Sequence, residues 1–343
     1  MKVVIHSPAF PPQIGGLEEI ARICAAGLTE LGHQVTVLCE SANTPPMEFP
    51  FRVLREASWR ERLAATAACD VFLMFNMSLK GLPLPLLCRK PLVICHQGWY
   101  GVDRNDSSLR SRFKCWLSRT LAKNIACSRA VADYLGGPVE VIPNAYNDQL
   151  FRLRPEIPRV RDVLFVGRLV SDKGAALLVE AVANLASKGI RATLTITGGG
   201  PEEQRLRQKV QHLGLVAQTH FTGPLRGQVL AHEMNRHRIL VVPSIWEEPF
   251  GIVALEGIAS GCLAIGSEGG GLADAIGACG MTFPNGDSTA LAALLEAHWE
   301  SLHSYPHTVV GASEAQHLNR HHPKQVIQSF LEVLQSSCKT IKP

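Results

Sequence analysis

The chain has 343 residues, of which 46% are hydrophobic and 19% charged, and its formal net charge is +4. At roughly 100–200 residues per domain this length predicts two domains, and the composition excludes a disordered chain. The mild positive charge fits an acidic ligand or a membrane surface, but it is too small for a nucleic-acid-binding protein, so we expect no nucleic-acid partner.

In the first half, apolar runs of strand length alternate with helix-length amphipathic segments, a pattern typical of βα units around a parallel sheet. The predicted strands are Val3–His6, Gln34–Cys39, Asp70–Met74, Leu92–Cys95, Ile125–Ala126 and Val139–Ile142. A helix is predicted over Leu17–Leu31, and Gly32 ends it. The periodicity is lost over residues 144–162, a stretch with prolines, and we place the linker there.

The same alternation continues in the second half. Its predicted strands are Val163–Val166, Thr193–Thr197, His220–Thr222, Leu240–Val242 and Leu263–Ile265. The chain is therefore predicted to be an α/β protein with two Rossmann-like doubly wound domains, over residues 1–150 and 160–320. Because each domain puts its ligand loops at the carboxyl ends of its strands, we expect these edges to face one another across a cleft. Residues 321–343 are predicted to form a C-terminal helix that could pack back on the first domain.

Nothing in the sequence indicates export or a membrane span. The apolar runs fall far short of the ~20 residues that a spanning helix needs. Met1–His6 reads as a strand, because it lacks the apolar core of about 7–15 residues that a signal peptide has. The ten cysteines are scattered from Cys24 to Cys338 without a C-x-x-C pair. This spacing is not typical of a disulfide framework or zinc site, so we expect reduced thiols in a cytoplasmic protein.

The most specific motif is Glu248–Glu256 (EPFGIVALE), which follows a predicted strand. Gly251 onward reads as a helix, and the free N–H groups and dipole of a helix start make an anion site. At this spacing the two carboxylates lie about two helical turns apart, so one can meet sugar hydroxyls while the other meets a second polyol. Residue type alone leaves another interpretation open, in which Glu248 is a solvated helix cap and Glu256 is structural.

Two further motifs follow strands of the second half. Phe165–Gly174 (FVGRLVSDKG) contains Arg168 and Lys173, whose charges could neutralise a diphosphate leaving group. The commoner alternative is a solvated basic pair. Ile196–Glu202 (ITGGGPE) is a strand that runs into a glycine turn. It is not a dinucleotide fingerprint, because Glu203 occupies the position of the third glycine.

The first half has two segments of the same kind. Pro11–Leu17 (PPQIGGL) places Gly15 and Gly16 after the first strand, where glycines let the backbone approach a ligand closely. The alternative is a flexible loop without ligand contact. His96 emerges at the end of another strand. A single histidine is more often a local hydrogen-bonding residue than a catalyst.

These motifs resemble those of glycosyltransferase family 4, retaining enzymes with the GT-B fold, and Glu248–Glu256 resembles their E-x7-E signature. The resemblance implies that Glu248 contacts the donor sugar and that Glu256 holds the nucleotide ribose. It also implies that Arg168 and Lys173 bind the donor diphosphate and that His96 contacts the transferred sugar. The catalytic residues expected from it are His96, Arg168, Lys173 and Glu248. The donor-binding residues expected from it are Gly15, Gly16, Gly167, Arg168, Lys173, Gly198, Gly199, Leu225, Glu248, Phe250, Gly251, Ile252, Val253 and Glu256.

This sequence departs from the family pattern at two places. Gln97 stands where the residue after the histidine is often Asp, so we assign no general base. Ser267–Asp274 (SEGGGLAD) resembles a G-G-x-x-E element, but Asp274 replaces the usual Glu, which leaves its role open.

The resemblance implies transfer of a hexose from a UDP-sugar to a saccharide or lipid-linked saccharide acceptor in bacterial envelope or exopolysaccharide biosynthesis. UDP-glucose is the leading donor by family frequency. We expect anomeric retention through same-face attack, in which the leaving phosphate takes the acceptor proton, because we identify no carboxylate for a covalent intermediate. The alternatives are a nucleotide-sugar epimerase, a non-catalytic sugar-nucleotide-binding or membrane-assembly protein, and a nicotinamide dehydrogenase, which the missing fingerprint disfavours.

No metal or other cofactor is expected. The sequence contains no Asp-x-Asp, the motif with which the other large glycosyltransferase architecture holds a divalent metal. His317, His321 and His322 have a spacing that a metal could use, but no neighbouring Cys or carboxylate completes a site. We therefore predict that these three histidines are surface residues.

A basic amphipathic helix is predicted over Ser107–Lys123. Its apolar residues are Leu109, Phe113, Trp116 and Leu117, and its basic residues are Arg110, Arg112, Lys114, Arg119 and Lys123. Such a helix can lie on an anionic bilayer, which would make the protein peripheral on the inner face of the plasma membrane. The interpretation that we prefer is a scaffold helix with a solvated basic edge.

Overall fold

Two units, each built on its own parallel sheet, make up the part of the chain that the computed structural model describes, residues 1–13, 15–42, 46–304 and 311–339. Unit 1 comprises Met1–Ala145 and Arg320–Pro343, and unit 2 comprises Tyr146–Asn319. The predicted α/β fold class with two Rossmann-like domains is confirmed.

Within the described residues, the sheet of unit 1 has seven strands in the order β3-β2-β1-β4-β5-β6-β7. They are β1 (Lys2–His6), β2 (Gln34–Cys39), β3 (Arg52–Arg55), β4 (Val71–Phe75), β5 (Leu92–His96), β6 (Lys123–Ala126) and β7 (Val139–Val141). The neighbouring strands pair in parallel. β4 and β5 are buried along their whole length, because helices cover both faces of such a sheet and central strands are then apolar throughout.

The sheet of unit 2 repeats this topology with six strands among the described residues, in the order β10-β9-β8-β11-β12-β13. They are β8 (Arg161–Val166), β9 (Leu194–Thr197), β10 (Thr219–Gly223), β11 (His237–Val242), β12 (Leu263–Ser267) and β13 (Gly280–Phe283). Counted within the unit, this is the 3-2-1-4-5-6 order of the Rossmann fold. The order in which the chain adds strands to the sheet reverses between β8 and β11, which are themselves parallel.

The described α-helices fill the connections between strands. They are α1 (Gly16–Glu30), α2 (Trp59–Ala67), α3 (Pro83–Leu87), α4 (Leu109–Leu121), α5 (Arg129–Leu135), α6 (Ala175–Ser187), α7 (Glu203–His212), α8 (Gly227–Asn235), α9 (Ile252–Ala259), α10 (Leu272–Ile276), α11 (Ser288–Ser304), α12 (Ala312–Arg320) and α13 (Pro323–Lys339). None of them is long and apolar enough to cross a membrane, as far as the described residues go.

The C-terminal helix α13 belongs to unit 1. It packs against α1, β4 and β5, and the ring of its Phe330 stacks on that of Phe75 with 6.5 Å between the centroids. Gly27 lets α1 approach closely, because a side chain there would clash with Ile327. Seven residues of α13 are buried, so the helix completes the core of unit 1. Positions 340–343 of the predicted segment lie outside the described residues.

The three histidines near the C-terminus correct the prediction of surface residues. His317 and His321 are buried. The ring of His317 donates from Nε2 to the carbonyl oxygen of Ala275 (2.8 Å), and that of His321 donates from Nδ1 to the carbonyl oxygen of Asn144 (3.0 Å). His322 is half-buried. Local hydrogen bonds to backbone carbonyls therefore account for His317 and His321.

Helix α4 forms most of the predicted basic amphipathic segment. It ends at Leu121, because Lys123 already begins β6. Its buried side chains are Ser111, Cys115 and Ser118, and the half-buried Leu117 packs against the core of unit 1. Leu109, Phe113 and Trp116 are exposed, so most of the large apolar side chains of the helix do not take part in this packing.

Candidate functional site

The charged residues among the predicted site residues of unit 2 follow strands β8 and β11. These strands are neighbours, and the order of the sheet reverses between them, which is the point where doubly wound sheets bind their ligands. The loops that leave their carboxyl ends touch each other, since the Ile245 N–H donates to the carbonyl oxygen of Asp172 at 2.8 Å. Gly174 (φ 68°) makes this approach possible, because a side chain there would clash with the carbonyl oxygen of Pro243.

An ion pair joins one predicted residue from each loop. Lys173 Nζ lies 2.5 Å from Glu248 Oε1, and the Ser244 hydroxyl donates to the same oxygen at 2.6 Å. Lys173 Nζ also lies 5.2 Å from the centre of the Trp246 ring, close enough for a cation–π contact. Glu248 is 8% exposed, and its second oxygen, Oε2, accepts no hydrogen bond from any described residue. The structure therefore anchors one oxygen of this carboxylate and leaves the other available.

The glycine-rich element after β12 holds the backbone of Glu248. The Gly271 N–H donates to the carbonyl oxygen of Glu248 at 2.6 Å, and Gly270 forms a parallel bridge with Glu248. Gly270 has φ 74°, and a side chain there would clash with the Glu248 carbonyl oxygen. This element, whose role the sequence left open, positions the carboxylate.

Asn285 is a site residue that sequence reasoning missed. Its Nδ2 lies 3.2–3.3 Å from the carbonyl oxygens of Ser244, Ile245 and Trp246, and its Oδ1 accepts from the Gly269 N–H at 2.7 Å. Asn285 thus ties the loop that carries Glu248 to the glycine-rich element. The Asn285-Gly286 pair would read as an ordinary turn signal in the sequence, so only the tertiary contacts reveal this role.

Helix α9 begins later than the predicted spacing assumes. Its first residue is Ile252, and Gly251 precedes it with φ 96°. Glu248 therefore lies in the loop and not on the helix, so the distance between Glu248 and Glu256 is not set by helical pitch. Glu256 lies half-buried in the second turn of α9.

The N-terminus of α9 offers unbonded donors. The backbone N–H groups of Ile252 and Val253 have no acceptor among the described residues, and no side chain caps the helix. Arg168, in the loop after β8, is exposed, and its guanidinium forms no ion pair or hydrogen bond within the described part of the chain. Free N–H groups and a free cation are the donors that a phosphate group needs.

The other predicted residues of unit 2 fall into three groups. Gly167 and Gly198 serve loop packing, because the Gly167 N–H donates to the Thr197 carbonyl oxygen at 3.0 Å and a side chain on Gly198 would clash with the backbone of Gly167. Gly199 has open space, because a methyl group on its Cα would come no closer than 3.8 Å to any neighbouring atom. Phe250 is buried and Leu225 half-buried.

His96, in unit 1, is fully buried, and both ring nitrogens are hydrogen-bonded. The Asn124 Nδ2 donates to the carbonyl oxygens of Ser118 and Ala122, so its Oδ1 must accept from His96 Nε2–H (2.9 Å). His96 Nδ1 is then the acceptor of the Tyr100 hydroxyl at 2.5 Å. Burial lowers the pKa of His96 to about 4. In this conformation neither nitrogen is free for a sugar, so the predicted sugar contact stays a prediction that needs the ring to be released.

The remaining predicted residues of unit 1 are Gly15 and Gly16 at the start of α1. Both are exposed, and Ile14 beside them lies outside the described residues. The Glu18 carboxylate covers Gly15, because a side chain on Gly15 would clash with it. An anion at this helix start would therefore have to displace or approach a carboxylate, and the predicted phosphate contact of the two glycines remains a prediction.

Polar groups also meet at the carboxyl ends of β4 and β5. The Gln97 N–H donates to Asn76 Oδ1 at 2.7 Å, and Asn144 Nδ2 donates to Gln97 Oε1 at 2.8 Å. Asn76 adopts a left-handed conformation with φ 58°, which a non-glycine residue keeps only where its surroundings hold it. Across the described residues, no group of three or more His, Cys, Asp or Glu side chains could hold a metal ion.

Two family models match the chain. The model described as glycosyl transferases group 1 matches residues 151–302, and the model described as glycosyltransferase family 4 matches residues 14–150. An uncharacterised glycosyltransferase of Methanocaldococcus jannaschii is 36% identical over 326 residues, which cover 80% of this chain and 83% of that protein. A glycogen synthase of Mycobacterium tuberculosis is 31% identical over 215 residues, 59% of this chain, and this chain spans only 51% of that protein's length.

Solved structures share the fold at lower identity. The HepE protein of Anabaena in complex with UDP superposes with a TM-score of 0.82 at 21% identity, over 98% of this chain and all of that chain (100%). The same protein in complex with UDP-glucose gives a TM-score of 0.79 at 20% identity and equal coverage. At these identities the similarity shows a common fold.

Proposed function

The chain belongs to glycosyltransferase family 4, and from this premise we propose that it is a retaining hexosyltransferase with a UDP-sugar donor. The leading donor is UDP-glucose, and the acceptor is a saccharide or a lipid-linked saccharide of a bacterial envelope or exopolysaccharide pathway. One observation carries the proposal: the two loops at the switch point of unit 2 and the helix start that follows supply an anchored carboxylate with a free oxygen, unbonded N–H groups and a free arginine. The complexes of HepE with UDP and UDP-glucose support it.

The diphosphate is the first ligand group to place. Its charge would be met by Arg168, by Lys173 and by the N–H groups of Ile252 and Val253 at the start of α9. The helix N–H groups and Lys173, which Glu248 holds, are in place before the reaction, so they stabilise the charge that develops on the leaving phosphate with little reorganisation. Because they are all protein groups, we propose that transfer needs no metal.

The sugar and the ribose are met by the two glutamates. The free Oε2 of Glu248 would accept a hydrogen bond from a hydroxyl of the transferred hexose, while Oε1 stays bound to Lys173 and Ser244. Glu256, further along α9, would hold the ribose hydroxyls. Gly199 has room for a ligand against its backbone.

The proposed chemistry is a same-face substitution. The bond between the anomeric carbon and the β-phosphate oxygen of UDP breaks, and the acceptor oxygen forms its bond to that carbon on the same face. The acceptor proton passes to the leaving phosphate. Neutral, buried His96 is not the base in this scheme. Unit 1 would bind the acceptor through the loops over residues 76–82 and 98–106, beside the polar cluster of Asn76, Gln97 and Asn144.

The test follows UDP release and the fate of the sugar with UDP-glucose, UDP-galactose and GDP-mannose, each with a panel of free sugars and polyprenyl-linked sugars. We expect UDP release from one UDP-sugar that depends on the acceptor and persists in a chelator. Lys173→Met should reduce it at least about tenfold, because it removes a charged hydrogen bond to the donor. Lys188→Met is the matched control, since Lys188 also pairs with a glutamate, Glu296, at 2.5 Å, but on the exposed surface.

Two outcomes would contradict the proposal. Conversion of a sugar nucleotide into its epimer without an acceptor would identify an epimerase. Binding of UDP-sugars without turnover across the whole panel would favour a non-catalytic binding protein. Equal effects of Lys173→Met and Lys188→Met on UDP release would remove Lys173 from the proposed donor site.

A further inference from the structure

Helix α4 of unit 1 points most of its large apolar side chains outward, and only Leu117 among the large apolar side chains named above packs against the core. The side chains that it buries are small, Ser111, Cys115 and Ser118, and they are spaced so that they lie along one face of a helix. The usual arrangement of a surface helix is the reverse, with large apolar residues inward. The inversion therefore leaves a large apolar surface on the solvent side.

That outward surface is a stripe of Leu109, Phe113 and Trp116, which we call the α4 stripe. Their spacing of four and three residues puts them on one face. They are 83%, 49% and 54% exposed, and the rings of Phe113 and Trp116 stack at 5.9 Å between centroids. Val102, in the loop before the helix, is 88% exposed. Contiguous exposed apolar surface of this kind marks an interaction site.

The charges around the stripe are positive. Arg110, Arg112 and Arg119 are exposed, and within the described residues none of them forms an ion pair. The helix itself contains no acidic residue. A groove of about 880 Å³ runs beside the stripe, lined by these arginines together with Phe113 and Trp116. The face thus combines apolar insertion with three guanidinium groups whose charge no described carboxylate neutralises.

One carboxylate, Asp106, also lines the groove. Its carboxylate is already hydrogen-bonded near the start of α4, because it accepts hydrogen bonds from the backbone N–H groups of Ser108 (2.8 Å) and Val102 (3.1 Å). These bonds lower the pKa of Asp106, so it remains an acceptor bound to the protein. The side chains that line the groove therefore have a net positive charge.

We propose that the α4 stripe docks on an anionic phospholipid bilayer. The side chains of Leu109, Phe113 and Trp116 enter the headgroup region, and the arginines bind lipid phosphates. An apolar stripe that contains tryptophan and is flanked by arginines is typical of a helix that lies in a membrane interface. Each arginine near an anionic surface adds to the attraction. With 13 residues, α4 would lie along the surface. A second copy of the chain is a poorer occupant, because a symmetric contact would bring two sets of these arginines together.

The test is co-sedimentation of the full chain with vesicles of phosphatidylcholine alone or of equal parts phosphatidylcholine and phosphatidylglycerol. We expect binding to the anionic vesicles, weakened by salt, and little binding to the neutral ones. The double variant Phe113→Ser/Trp116→Ser should reduce the partition coefficient at least about tenfold, since it removes two inserting side chains. Arg110→Gln/Arg112→Gln should reduce it roughly twentyfold, at about fivefold per charge.

The matched control is Trp59→Ser/Arg60→Gln on α2, which removes an exposed tryptophan and an exposed arginine from another helix of unit 1. It should bind vesicles like the wild type, and all variants should keep the wild-type melting temperature. Failure of the wild type to bind anionic vesicles overturns the proposal. So does equal loss in the α2 control, or a wild-type dimer that the α4 variants convert to a monomer. None of these results bears on sugar transfer, which is measured separately.

Discussion

Replacement of Glu248 by glutamine is expected to lower kcat/KM for sugar transfer about a hundredfold while unit 2 stays folded. The carboxylate accepts charge-assisted hydrogen bonds from Lys173 and Ser244, and its free Oε2 would accept one from the donor sugar. Hydrogen bonds to a charged group are worth roughly 1.5–3 kcal/mol each, so loss of the sugar contact together with a misdirected Lys173 lies in the range of two powers of ten. The amide keeps the shape of the side chain, so its backbone contacts with the glycine-rich element remain.

The measurement is steady-state kinetics together with the affinity for UDP. Because UDP lacks the sugar, its affinity should change by only a few-fold. Glu296→Gln is the control, since it removes the carboxylate of the exposed Lys188–Glu296 pair in the same unit, and exposed pairs contribute little. A Glu248→Gln enzyme with wild-type kcat/KM would remove Glu248 from the proposed site.

Acidification from pH 7 to pH 5 is expected to destabilise both units, and unit 1 more than unit 2. Burial lowers the pKa of His6 and His96 in unit 1 and of His237 in unit 2, each to about 4 from 6.5. Below pH 6.5 the unfolded chain therefore binds protons that the folded chain does not. The free energy of unfolding then falls as the pH falls from about 6.5 to about 4, and these groups leave it unchanged above that window. Each histidine accounts for up to roughly 3 kcal/mol across the full window.

Two of these histidines also accept a hydrogen bond that only the neutral ring can accept. His96 donates from Nε2 to Asn124, and His237 donates from Nδ1 to the Glu233 carbonyl oxygen at 2.7 Å while Thr195 donates to its Nε2 at 2.8 Å. Protonation of either ring would cost the hydrogen bond that it accepts. Scanning calorimetry at pH 7, 6 and 5 should show falling midpoints, with a smaller fall in His96→Gln and an unchanged fall in His212→Gln, whose side chain is exposed. Midpoints that do not move between pH 7 and 5 would contradict this assignment.

Most of the strands that the sequence predicted contain apolar runs of their own, although the edge strands β7 and β10 were predicted as well. β4 and β5 are continuous buried runs, which periodicity detects directly. The two strands that were missed, β3 and β13, lie at the edges of their sheets. β3 begins and ends with arginine and is only partly buried, and β13 begins with glycine. An edge strand is stabilised mainly by pairing with its neighbour, and this long-range contact leaves little local signal.

The candidate site residues were chosen from residue type and resemblance, which do not predict their geometry. The spacing between Glu248 and Glu256 suggested a common helix, whereas the φ of Gly251 starts α9 only at Ile252. The contact between Lys173 and Glu248 joins two loops 75 positions apart in the chain, so it is visible only after the sheet has formed. The contacts of Asn285 and the hydrogen bond from Gly271 to Glu248 could not be predicted for the same reason.

Periodicity also cannot tell which face of a helix is packed. In α4 the apolar stripe and the small-residue stripe have the same helical spacing, and the usual rule favours burial of the apolar one. The structure buries Ser111, Cys115 and Ser118 instead. The prediction that His317 and His321 lie at the surface was wrong, because histidine has no fixed preference for surface or core. Their hydrogen-bond partners are backbone carbonyls far away in the sequence.

Calorimetric titration of the wild type and of Glu256→Ala with UDP, in buffer without metal, tests most directly the claim that unit 2 is the donor-binding unit. We expect UDP to bind the wild type. Its binding to Glu256→Ala should be at least about tenfold weaker, because a charged hydrogen bond to the ribose is lost. Glu180→Ala, which removes an exposed carboxylate from α6, should bind UDP like the wild type. Binding of NAD in place of UDP, or UDP affinity that is the same with and without Glu256, would contradict it.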